Sequence, residues 1–139
     1  MKSKKFLIFV IFIFSLSNIN YSLSIEPDIF VQSTVNRASE ALNSKNSKEE
    51  KIEKLKQIAS ETVDVKGIGF YTLGSYRKTI SENEINQYEM LFEQYFLKSF
   101  SSRLAEYSNP EIEVVSKKKL NKNYTMVSSV LVGTEQRPE

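Results

Sequence analysis

The stretch Leu73-Gly74-Ser75-Tyr76-Arg77-Lys78-Thr79-Ile80-Ser81-Glu82-Asn83-Glu84-Ile85 decides how this chain is read. Its second half is a helix start signal. Ser81 stands as N-cap and Glu84, three residues on, can reach back to it, which is a capping box. Ile80 and Ile85 occupy the two positions of a hydrophobic staple around that box. Beyond it Ile85, Tyr88, Phe92, Phe96, Phe100, Leu104 and Tyr107 step by three or four, the period of one helix face. No Pro or Gly falls between Ser81 and Ser108, and Asn109-Pro110 supplies the stop. A helix of that length spans about 40 Å and can serve as the spine of a small domain.

Upstream, the same signals recur. Pro27 sits where a first-turn proline is tolerated, Asp28 favours a helix start, and Val31, Val35, Ala38 and Leu42 mark one apolar face. After the polar linker Asn43 to Asn46, Ser47-Lys48-Glu49-Glu50 forms a second capping box. The helix behind it carries Ile52, Leu55, Ala59 and Val63 on one side and charge on the other. Asp64 can cap a third, shorter helix, in which Gly67 and Gly69 reduce helicity by about 1 kcal/mol each but permit close approach. Gly74 is placed to end it in the left-handed conformation.

Downstream of Pro110 the period changes to two. Residues 111–116 predict a strand, Lys117 to Asn123 a polar loop, and 124–132 a second strand with Met126, Ser128, Val130 and Val132 on one side. The fold class is therefore α+β, with helices over 27–108 packed on an antiparallel sheet of which two strands are present. A lone hairpin is marginal and leaves an edge unpaired. The expectation is thus a chain truncated at its C-terminus, whether as part of a longer protein or as a shortened reading frame.

The first 24 residues stand apart. Lys2, Lys4 and Lys5 precede the apolar run Phe6 to Phe14, and Ser22-Leu23-Ser24 offers small residues for cleavage. The apolar run is too short for the roughly 20 residues a membrane span needs. A cleaved signal peptide over 1–24 is the reading, with an uncleaved N-terminal anchor as the alternative. Without a Cys there is no residue to carry a lipoprotein's lipid. Three of the 19 basic residues lie in the signal, so 16 face 17 acidic ones in residues 25–139. That near-neutral balance argues against nucleic acid, whose binding rests on phosphate neutralisation.

The chain has no His, Cys or Trp. Ser-His and Cys-His pairs, and metal sites built on imidazole or thiolate, are excluded. Glu82, Glu84, Glu89 and Glu93 remain as carboxylates, but Glu84 belongs to a cap and the others read as a solvated helix face. No enzyme and no cofactor is expected. Lys117, Lys118, Lys119 and Lys122 are read first as a solvated hairpin tip, and second as a contact for anionic headgroups or an acidic partner.

The run Leu73-Gly74-Ser75-Tyr76, the basic pair Arg77-Lys78, the helix cap, the Phe-x3-Phe spacing and Arg103-Leu104-Ala105-Glu106-Tyr107 together resemble the MlaC-type, or toluene-tolerance, family. The resemblance covers roughly Pro27 to Glu139. Family members commonly carry Trp-Arg after the Tyr, where this chain has Arg77-Lys78. The resemblance implies a periplasmic phospholipid-binding shuttle serving outer-membrane lipid asymmetry. Its partners would be phospholipid and membrane-bound lipid-transport complexes, including an inner-membrane ABC transporter. It also implies an MlaC-like lipid-binding domain over 25–139 with a cavity walled by Leu73, Tyr76, Phe92, Tyr95, Phe96, Phe100, Leu104, Val130 and Val132. A stripe at helical spacing is in the first place core. The alternative function is a periplasmic chaperone or adaptor that binds polypeptide through an apolar helix face.

Overall fold

The computed structural model describes residues 25–133; residues 1–24, on which the expected signal peptide falls, and residues 134–139 lie outside the described residues. Four helices precede a hairpin: α1 (Pro27–Asn43), α2 (Lys48–Thr62), α3 (Val65–Thr72), a 3-10 turn (Gly74–Lys78), α4 (Glu82–Leu104), β1 (Glu111–Lys119) and β2 (Thr125–Gly133). The helices pack against a two-stranded antiparallel sheet, an α+β arrangement.

Helix starts lie where local chemistry puts them. In α2 the Ser47 amide donates to the Glu50 carboxylate at 2.9 Å, and the Glu50 amide donates to Ser47 Oγ at 3.2 Å. In α4 the Ser81 amide donates to Glu84 Oε2 at 2.8 Å and the Glu84 amide returns a bond to Ser81 Oγ at 3.3 Å. The bonds from the Ser81 backbone, then from its hydroxyl, hold the Glu84 carboxyl below its ordinary range. Asp64 caps α3 by accepting from the Gly67 amide at 3.0 Å. At the far end of α1, Ser44 Oγ and Lys51 Nζ each donate at 2.7 Å to the carbonyls of Ala41 and Leu42, which have no acceptor duty inside the helix.

Gly74 has φ +55°, the left-handed conformation expected of it. The chain then continues as a 3-10 turn instead of running straight into the next cap. Gly69 allows the close approach predicted for it, but to a ring: a Cβ there would lie 2.8 Å from Phe92 Cδ1. This contact seats α3 on α4. The spine helix ends at Leu104, three residues before Tyr107. Its last turn tightens, with Glu106 donating to the Arg103 carbonyl and Tyr107 to that of Leu104. Beyond that turn Asn109 takes φ +46°, a left-handed conformation that Asn tolerates, and Pro110 follows.

The hairpin departs most from expectation. Lys117, Lys118 and Lys119, expected in a loop, are the last residues of β1, paired with Val127, Met126 and Thr125. Val115 is the extra residue of a bulge between the pairs Val114↔Ser129 and Ser116↔Ser128. The extra residue reverses which side chains face the helices, so Ile112, Val114 and then Lys117 share the inner face. There Lys117 bonds Glu26 at 2.9 Å and Asp28 at 2.8 Å, beside the start of α1. Asp28 holds the Lys117 ammonium above its usual range, with Glu26 adding to the effect. Lys117 in turn lowers the Asp28 carboxyl. Gln32 of α1 secures the outer edge of β1, accepting from the Val114 amide at 3.0 Å and donating to the Ile112 carbonyl at 3.4 Å.

Among the described residues only Ala41, Leu42, Leu55, Ile58, Ala59 and Val65 are fully buried hydrophobics. The core is therefore a thin seam between α1, α2 and the end of α4. Ser101, where α4 crosses close to α2, has 0 % exposure, and its Oγ has no hydrogen-bond partner among the described residues. Burying an unpaired hydroxyl is costly, and Ala also suits a helix better. Ser101→Ala is expected to stabilise the fold by about 1 kcal/mol, read as a rise in the urea midpoint. An unchanged or lower midpoint would mean that the hydroxyl has a partner in solution.

A candidate lipid-binding cavity

The thin core has a counterpart: an apolar cavity of about 340 Å³, partly open to solvent, between α1, α2, the C-terminal end of α4 and the base of the hairpin. Pockets that hold small ligands run from about 300 to 1,000 Å³. One wall is the α1 face Val35, Ala38 and Leu42, and the facing wall is Leu55, Ile58 and Ala59 of α2. Phe100, Leu104 and Tyr107 close a third side. The cross-strand pair Ile112 and Leu131 lies across the sheet side.

The lining carries no charged side chain. Two of its hydroxyls are used within their own helices: Thr34 Oγ1 donates to the Phe30 carbonyl at 2.9 Å and Thr62 Oγ1 to that of Ile58 at 2.7 Å. No polar group of these two residues therefore needs a ligand partner. Such a space suits hydrocarbon. Among the described residues no three His, Cys, Asp or Glu side chains cluster to hold a metal ion. No described helix is long and apolar enough to cross a membrane.

Of the nine residues expected to wall a cavity, Phe100 and Leu104 line this one. Phe96 stacks on Phe100 at 5.4 Å between ring centres, and Phe92 on Phe96 at 6.0 Å, so a row of rings leads away from the cavity along α4. Tyr88 extends the row at 5.8 Å and shares a 2.8 Å hydrogen bond with Thr72. Phe92 is occupied as the seat of α3. Leu73 lies half-buried before the 3-10 turn, and Tyr76 and Tyr95 are more than 70 % exposed. Val130 and Val132 are exposed on the sheet, whereas Leu131 between them reaches the cavity. The residues that the cavity reading missed are those of α1 and α2. Their periodic apolar faces were visible, but a face that packs and a face that lines a space have the same period.

A family model described as MlaC protein matches residues 32–139, most of the chain. No curated protein and no solved structure matches it.

Proposed function

We propose, starting from the fact that this chain belongs to the MlaC family of periplasmic phospholipid-binding transport proteins, that it shuttles phospholipid between membrane-bound complexes, one of them an ABC transporter. The observation that carries this reading is the uncharged cavity between α1, α2, α4 and the hairpin. Its action is sequestration. Acyl methylenes leave water at a gain of about 0.8 kcal/mol each, and the headgroup remains at the rim. Phe96, stacked on Phe100, offers apolar surface where a chain extends beyond the cavity. Release follows docking to the partner complexes and involves no bond-making. Delivery to the periplasm relies on the signal segment, cut between Ser24 and Ile25.

Periplasmic extract, purified without detergent and analysed by native mass spectrometry, tests both parts. The expected species begins at Ile25 and carries diacyl phospholipid. An intact Met1 on membrane-bound material would replace the signal peptide with an anchor. A well-folded protein free of lipid, and unable to take any from vesicles, would end the shuttle reading. Polypeptide binding through the exposed α4 side chains Met90, Leu91 and Tyr95 would then remain.

A further inference from the structure

From Val114 to Gly133 the chain carries four lysines and no acidic residue. Lys117 is committed to Glu26 and Asp28. Lys118, Lys119 and Lys122 have no ion pair among the described residues. Lys118 and Lys119 end β1, and the loop after them, which carries Lys122, is a formed turn. Asn121 Oδ1 accepts from the amides of Asn123 at 2.8 Å and Tyr124 at 3.0 Å, and the Leu120 amide donates to the Tyr124 carbonyl at 2.9 Å. Leu120 (57 % exposed), Tyr124 (67 %) and Met126 (48 %, paired with Lys118) stand exposed at the same tip.

We propose that this hairpin tip docks on the surface of an anionic phospholipid bilayer. Lysines alone would suit any acidic surface, protein included. The exposed Leu, Tyr and Met between them favour a bilayer, whose headgroup region accepts the charges while its acyl boundary accepts the apolar groups. Tyrosine is at home at that depth. The inference goes beyond the cargo reading and does not depend on it. The cavity sits at the base of the hairpin, beside Ile112 and Leu131, roughly 20 Å of strand from the tip.

Flotation of the protein, as recovered from cells, with phosphatidylglycerol-containing vesicles and with pure phosphatidylcholine vesicles tests the proposal. Each lysine near an anionic surface strengthens binding about fivefold, so K118A/K119A/K122A is expected to weaken binding on the order of 100-fold. Leu120→Ser with Tyr124→Ser should weaken it further without changing its salt dependence. Parent binding should fall in roughly 1 M salt, where the Debye length is about 3 Å. Far-UV circular dichroism confirms that the variants fold, and their phospholipid content should equal the parent's, which separates docking from cargo. Equal affinity of parent and triple-lysine variant for the anionic vesicles would overturn the proposal. So would a folded parent that ignores them, and that outcome would leave an acidic protein surface as the partner of these lysines.

Discussion

Ala38→Phe is expected to remove most of the co-purifying phospholipid while leaving the helices in place. Ala38 is half-buried on α1, packs beside the core seam and lines the cavity, so a ring at this position takes up part of that space. Excluding only two methylenes at about 0.8 kcal/mol each lowers lipid affinity roughly 15-fold. Overpacking costs typically about 1–3 kcal/mol, and an existing void reduces that cost. Lipid per protein, measured by native mass spectrometry beside the circular-dichroism signal, checks the result. Tyr95→Asp is the comparison: 72 % exposed and outside the cavity, it should leave both lipid and fold unchanged. Undiminished lipid in a folded Ala38→Phe protein would place the cargo elsewhere, with the ring row beyond Phe100 as the next place to look.

Leu55→Ala carries the largest expected effect on stability. Leu55 is 2 % exposed, belongs to the seam with Ala41, Leu42 and Ile58, and touches the cavity from the α2 side. Deleting a buried leucine costs about 2–5 kcal/mol in transfer and cavity terms. Because the space beside it is already open, little collapse can recover that loss. A loss of about 3 kcal/mol lowers the Tm of a domain this size by roughly 12–20 °C. Thermal unfolding of lipid-free protein reads this directly. Lipid that fills the enlarged space should restore part of it, since a ligand bound only to the native state stabilises that state. A shift under about 3 °C would show that α2 is held by other contacts.

The start of every helix except α1 rests on bonds between residues three apart: Ser47 with Glu50, Asp64 with Gly67, and Ser81 with Glu84. The donors and acceptors of those bonds are neighbours in any folded form of the chain, so their pattern is legible without a tertiary structure. The left-handed Gly74 and the break at Asn109-Pro110 are legible for the same reason, since each follows from sterics of one or two residues. The strand character of β1 was legible only as far as Ser116. Three consecutive lysines have low strand propensity, and what keeps them in the strand is distant. Lys117 meets Glu26 and Asp28, 91 and 89 residues away, once the Val115 bulge has turned it inward.

The candidate site divides along the same line. The apolar face of α4 and its membership in a lipid-binding family were readable from spacing and resemblance, and Phe100 and Leu104 do line the cavity. Which face of β2 points inward was not readable. Val127, Val130, Leu131 and Val132 are apolar on both parities, and the choice of Leu131 is made by its pairing with Ile112, whose carbonyl Gln32 of α1 holds. Sequence by itself determined the helices, their caps and their apolar faces, because those depend on interactions within one turn. Only the tertiary structure decided that two of those faces, on α1 and α2, meet in a seam that also borders a space. A hydrophobic period records that a side chain must leave water, not whether protein or ligand will meet it.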